Sequence, residues 1–208
     1  MNYYPVYINL RGKKAVVAGG GNVAERKALA LLNAGAAVTV VSPELTKRLG
    51  YLKKKGQITH IKRQYKKGDL RNAFIVVACT SSEKTNAEIA RNAKCLVNVV
   101  DTPSEGNFIA PSAVKRGPLT IAVSTEGASP AVSKAIRKEL EKLYGREFVH
   151  YLRALVQMRR KAIKKIKDIK KRRKIFQDLA SEEMFNILRS QGFKAAIQKA
   201  AQLFHLNP

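Results

Sequence analysis

The β-branched apolar run Ala15-Val-Val-Ala18 breaks into three consecutive glycines, Gly19 to Gly21, and resumes as Asn22-Val-Ala-Glu-Arg-Lys27, a helix opening. Gly19, Gly21 and Ala24 fit the G-x-G-x-x-A form of the dinucleotide fingerprint. In that pattern the first glycine makes a strand-to-helix turn that a Cβ would obstruct. The second lets backbone N–H groups approach a pyrophosphate, and the alanine keeps the helix close to the sheet. Asn22 reads as the N-cap with Glu25 as its capping-box partner, and Gly35 ends the helix. An anion would sit on the helix N-terminus. A glycine triplet also closes ordinary βα units, so the strand and helix around it carry the inference.

The next strand, Ala37 to Val41, ends in Ser42-Pro43-Glu44. Such folds read the adenosine ribose near this point. Glu44 is the nearest acid, and it either turns onto the ribose hydroxyls or serves as a first-turn acid of the following helix. No Arg follows the strand directly, although Lys47 and Arg48 lie within a turn, so NAD is expected in preference to NADP. Alternation then continues: a helix near 44–55, strands at 58–61 and 74–78, a helix at 83–92 and a strand at 95–100. The strands are apolar on both faces, as buried parallel strands are. This predicts an α/β fold with a Rossmann-type doubly wound parallel sheet. Leu119 to Ser124 reads as one more strand, and Ser129-Pro130 as the N-cap and first position of a helix reaching Leu143.

From Tyr144 onward β-branched runs vanish and apolar residues recur at helical spacing, so a helical C-terminal domain is expected over 144–208. Its segment 159–174 carries eleven Lys or Arg and one acid, Asp168. Such a run is a solvated face or a site for anions, and it lacks interleaved aromatics for base stacking. Residues 182–206 read as two short helices broken at Gly192. Over the chain, 40 Lys and Arg against 15 Asp and Glu give +25, which points to an anionic partner or substrate. Cys79 and Cys95 lie in apolar runs without C-x-x-C spacing, and His60, His150 and His205 show no ligand spacing, so no metal site is expected. No signal-like segment or long apolar span occurs, so a cytoplasmic protein without membrane partners is expected.

Asn98-Val-Val-Asp101-Thr-Pro103 sets an acid just beyond a central strand, on the rim where ligands of open α/β sheets bind; the alternative is an Asp that caps a turn before Pro103. This motif, the Gly-Gly-Gly-Asn-Val-Ala-Glu-Arg-Lys segment, Phe108-Ile-Ala-Pro-Ser112 and Val123-Ser-Thr-Glu-Gly-Ala-Ser-Pro130 stand in order and spacing. Over residues 1 to about 143 the chain thereby resembles the precorrin-2 dehydrogenase family of sirohaem synthesis, which includes the N-terminal part of bacterial sirohaem synthase. The resemblance implies NAD-dependent oxidation of precorrin-2 to sirohydrochlorin in a homodimer, with some relatives also inserting ferrous iron. It assigns Asp101 as the essential acid, Asn22 and Val23 as phosphate-loop contacts, Pro43 and Glu44 as adenosine-side contacts, and Ser124 to the substrate cleft. Arg116 and Arg137 are candidates for the substrate carboxylates. The implied organisation is an NAD-binding domain over 1–112, a dimerisation segment over 113–143 and the helical domain, with a separate uroporphyrinogen methyltransferase acting upstream. The rival readings are an NAD-sensing regulatory domain without turnover and a basic RNA-binding protein. The first has no need of Asp101, and the second leaves the fingerprint unexplained, so no nucleic-acid partner is expected.

Overall fold

The computed structural model describes residues 3–205, which divide into two compact units, one up to Ala110 and one from Pro111 onward. In the first, β1 (Lys14–Ala18), β2 (Ala37–Val41), β3 (Ile58–Ile61), β4 (Ile75–Ala78) and β5 (Leu96–Val99) form one parallel sheet in the order β3-β2-β1-β4-β5. Because successive side chains of a strand point to opposite faces, each strand feeds two cores. Ala15 and Val17 of β1 join Val38, Val40, Ile75 and Val77 on the face covered by α1 (Asn22–Asn33) and α2 (Lys47–Lys54). Val16 and Ala18 join Val41, Val76, Ala78 and Val97 on the other face, where Ile89 of α3 (Glu83–Asn92) packs. Chain order reverses between β1 and β4, and a sheet of this topology opens a crevice at that switch point, outside its carboxyl ends.

Helix ends account for most departures from the sequence reading. Ser82 caps α3 as a serine before a helical pattern should, accepting from Thr85 N at 3.2 Å. α2 begins at Lys47 rather than Glu44, because Thr46 supplies its cap by accepting from Leu49 N at 3.2 Å. Glu44 therefore lies in the loop before the helix and is not one of its first-turn acids. α1 ends in a Schellman closure, with Gly35 N donating to Leu32 O and Ala36 N to Leu31 O.

In the second unit, β6 (Ser112–Arg116) and β7 (Leu119–Val123) pair antiparallel around a turn at Gly117. The strand expected at 119–124 thus belongs to a separate two-stranded sheet, and β6 escaped the sequence reading. α4 (Pro130–Leu143) packs on β6, with Ser129 accepting from Val132 N as its cap. α5 (Glu147–Lys165), α6 (Ile169–Asp178), α7 (Glu182–Ser190) and α8 (Gly192–His205) enclose a core that includes Phe148, Tyr151, Ile175, Leu179, Met184 and Leu188. The buried Tyr151 hydroxyl donates to Leu179 O at 2.6 Å. The basic run at 159–174 is two helices, because Asp168 caps α6 by accepting from Lys170 N and Lys171 N. The break expected at Gly192 falls between α7 and α8, and Leu206 lies outside the described residues. No helix among the described residues is long and apolar enough to cross a membrane.

Candidate functional site

A cavity of about 990 Å³ opens at the carboxyl ends of the first unit's strands. Gly19 to Val23, Pro43, Glu44 and Asp101 line it together, along with Ser42, Cys79, Thr80, Ser82 and Tyr65. Ser124, Arg116 and Arg137 belong to the second unit.

The glycine loop follows from close backbone packing. Gly19 has φ +127° and donates from its N–H to Val41 O at 2.9 Å; a Cβ there would strike the Cys79 carbonyl. A Cβ on Gly20 would collide with the Glu44 carbonyl and the Ser42 hydroxyl. Gly20 O in turn accepts from Thr46 N at 3.0 Å. Gly21 has open space around its Cβ position and an ordinary negative φ, so nothing in the protein demands glycine there. The fingerprint reading singles out Gly19 and Gly21; the intramolecular contacts demand Gly19 and Gly20. That the variable position of the pattern is itself glycine was the available signal.

Gly21, not Asn22, is the N-cap of α1, and no side chain caps that end. The expected capping box is absent because Glu25 turns away, its carboxylate accepting from the Thr46 hydroxyl at 2.5 Å. Thr46 thereby caps α2 and ties it to α1. The first-turn N–H groups of α1 are left without side-chain acceptors at the cavity wall, which is what a pyrophosphate needs. Loop and helix end therefore fit a dinucleotide. No Lys, Arg or His lines the cavity, while Glu44, Glu88 and Asp101 do. In a chain of net charge +25 this leaves phosphate binding to backbone N–H groups, the helix dipole and the hydroxyls of Ser81, Ser82 and Thr85.

Asp101 is exposed and makes no hydrogen bond among the described residues. The segment carrying it is clamped on both sides. Asn107 mimics a further strand along β5, accepting at Oδ1 from Val97 N at 2.7 Å and donating from Nδ2 to Cys95 O at 2.9 Å. Gly106 passes so close to Val97 O that a Cβ would lie 2.7 Å from it. Buried Asn98 donates to Phe108 O at 3.1 Å. Asn98 and Asn107, which flank Asp101 along the chain and which sequence reasoning left without roles, thus hold its loop.

Thr80 and Asn86 lock the β4–α3 loop: Asn86 Oδ1 accepts from Thr80 N at 3.0 Å and from the Thr80 hydroxyl at 2.7 Å. Cys79 donates from Sγ to Ala18 O at 3.3 Å, and burial pushes its thiol up to about 12. It is a neutral packing group at neutral pH, neither nucleophile nor thiolate ligand. His60 contacts Ser42 O through Nε2 at 2.9 Å, and among the described residues no group of three or more His, Cys, Asp or Glu could hold a metal.

The candidate arginines of the second unit have partners of their own. The Arg116 guanidinium donates to Tyr144 O at 3.0 Å, Glu141 O at 3.4 Å and Lys115 O at 3.1 Å, closing the C-terminal end of α4. Arg137 pairs with Glu141 one turn on. Ser124 is exposed, its hydroxyl accepting from Glu126 N at 3.1 Å.

Comparison with known proteins agrees with this geometry. Residues 6–112 match the family described as putative NAD(P)-binding, and residues 116–143 match the central region of sirohaem biosynthesis proteins. The precorrin-2 dehydrogenase of Bacillus subtilis is 40% identical over 159 residues, which cover 76% of this chain and 98% of that protein. The siroheme synthase of Mannheimia succiniciproducens is 33% identical over 94% of this chain, but the match spans only 42% of that longer protein. The solved structure of SirC, a precorrin-2 dehydrogenase, superposes with a TM-score of 0.80 at 27% identity, covering 96% of this chain and all of the other. With a cavity at the sheet's switch point that fits a dinucleotide, an acid in the cavity's lining and a 40% identical relative covered over 98% of its length, the chain belongs to the precorrin-2 dehydrogenase family.

Proposed function

We propose that this protein oxidises precorrin-2 to sirohydrochlorin with NAD. The observation that supports this most is the single cavity that joins an uncapped helix N-terminus and a tight glycine loop to an exposed, unbonded carboxylate, Asp101. When bound, the nicotinamide accepts two electrons as a hydride from a carbon of the reduced tetrapyrrole. Asp101 takes the proton that the substrate loses as its new double bond forms, so precorrin-2 and NAD yield sirohydrochlorin, NADH and one proton. Asn107 and Asn98 fix the loop that presents this base. Gly19, Gly21, Asn22 and Val23 hold the pyrophosphate side; Pro43 and Glu44 hold the adenosine side. Anaerobic incubation with precorrin-2 and NAD tests the reading: sirohydrochlorin should accumulate, and its absence from a folded, NAD-binding preparation would refute it.

The preference for NAD over NADP rests on Glu44. Glu44 is among the residues that line the cavity and no Lys, Arg or His is, so a ribose 2′-phosphate at that end would meet an acid and no cationic partner. NAD should bind more tightly than NADP by at least about tenfold, roughly 1.4 kcal/mol, in calorimetric titration. Equal affinities would place the 2′-phosphate elsewhere.

The protein works as a cytoplasmic homodimer. Its two cysteines are free thiols, as in a reducing compartment. Val132, Ile136 and Leu143 are 49%, 38% and 49% exposed along one side of α4, a stripe suited to a twofold mate. The substrate's ring of carboxylates gives the chain's positive charge a role in attracting it, with Ser124, Arg116 and Arg137 as the second unit's candidate contacts. A uroporphyrinogen methyltransferase activity supplies the substrate. Iron insertion by the same protein is tested by adding ferrous iron to the completed reaction.

A further inference from the structure

Lys27 lies on the side of α1 that faces the sheet, a position where a helix ordinarily places an apolar residue. Its neighbour Arg26 is exposed, whereas Lys27 is half-buried and its Nζ donates to Asn98 Oδ1 at 3.4 Å. Burial pushes the Lys27 ammonium below the usual lysine value, with Arg26 adding to the effect and the Cys79 thiol opposing it. The Cys79 thiol feels Lys27 and Asp101 with opposite signs, so the ammonium and the carboxylate both lie within electrostatic reach of one sulfur. Burying an amine is unfavourable unless a hydrogen bond or an opposite charge offsets the loss of water, and here the acceptor is Asn98. Asn98 is a buried amide whose two ends are both used: Oδ1 receives Lys27 and Nδ2 donates to Phe108 O at 3.1 Å. That amide's bond to Phe108 O is one of the contacts that dock the Phe108 segment on β5, beside those of Asn107 and Gly106.

We infer that Lys27 is a positioning residue for the redox step, holding through Asn98 the strand end and the Phe108 segment on either side of Asp101. This rests on the dehydrogenase reading of the cavity. Without the ammonium the Asn98 oxygen is left buried with no donor, the amide is free to rotate, and its bond to Phe108 O loosens. Asp101 then samples positions displaced from the substrate. Lys27 does not line the cavity, so cofactor affinity should hardly change.

Lys27→Met keeps the stem and removes the ammonium; Lys27→Arg keeps the charge and the donor. For Lys27→Met we expect kcat to fall by about 10- to 100-fold with KM for precorrin-2 and Kd for NAD within about threefold of wild type. Amide exchange at Asn107 and Phe108, which donate to Val97 O, should quicken by roughly tenfold while β1 stays protected. Lys27→Arg should recover most of kcat and of the protection. Unchanged kcat and exchange, a loss that follows NAD affinity or thermal stability, or an Arg variant as impaired as the Met variant would each overturn the inference. Should Lys27→Met fail to fold, Lys27→Leu, which also lacks a donor, is read by the same criteria. Absence of turnover in the wild type would remove the dehydrogenase reading, and the exchange measurement alone would then decide whether Lys27 anchors the loop.

Discussion

Replacing Asp101 with Ala should lower the rate of precorrin-2 oxidation by about 10²- to 10⁴-fold, the range that a positioned general base contributes, while leaving the fold and NAD binding intact. The structure supports the second half of this expectation. Asp101 is exposed and makes no hydrogen bond among the described residues, so its loss leaves no buried partner unsatisfied and removes no packing. The loop itself is held by Asn98, Asn107 and Gly106, none of which depends on the carboxylate. Asp101→Asn should be nearly as inactive, because an amide accepts no proton at neutral pH. Rates measured anaerobically beside melting temperature and NAD affinity separate the possibilities. Near-wild-type turnover by Asp101→Ala would mean that the proton leaves by another route.

Gly20→Ala carries the second large effect, and it acts on the scaffold. The added methyl group would collide with the Glu44 carbonyl and the Ser42 hydroxyl, and the Ser42 hydroxyl already donates to Glu44 O at 2.6 Å. The β2–α2 loop must move, at about 1–3 kcal/mol for overpacking a tight contact. Because the same loop supplies Pro43 and Glu44 to the cavity, NAD affinity should fall with stability, by roughly 100-fold or more, about 2.7 kcal/mol. Gly21→Ala is the informative partner. Its Cβ would meet nothing within 4 Å, so stability should hold while affinity drops, the methyl group occupying space on the cavity wall. Gly50→Ala in α2 also meets nothing and should be neutral or stabilising, by up to about 1 kcal/mol. Melting temperatures and NAD titrations of the three variants check this; a Gly20→Ala protein that melts and binds like wild type would refute the packing argument.

Much of the fold was legible because its determinants are local. Buried parallel strands announce themselves as short β-branched runs, and Ser82, the second of a serine pair, and Ser129 each cap the helix that begins directly after them. What escaped depends on partners far along the chain. Asn22 with Glu25 has the look of a capping box, yet Thr46, 21 residues from Glu25, takes that carboxylate and leaves Gly21 as the cap. β6 has a single fully buried apolar residue, Val114, and becomes a strand only because β7 folds back on it. Arg116 reads as a candidate for the substrate's carboxylates, and only the folded chain shows that its guanidinium also donates to the carbonyl groups at the end of α4. In the site, the rim position of Asp101 followed from its place after a strand, whereas the work of Asn98, Asn107 and Lys27 required the hydrogen bonds themselves.

The most direct test is a single-turnover experiment without oxygen, mixing enzyme in excess over precorrin-2 with NAD and following both chromophores. The account predicts that NADH and sirohydrochlorin appear at the same rate and in equal amounts. A folded protein that binds NAD yet forms neither, or forms sirohydrochlorin without NADH, would contradict it.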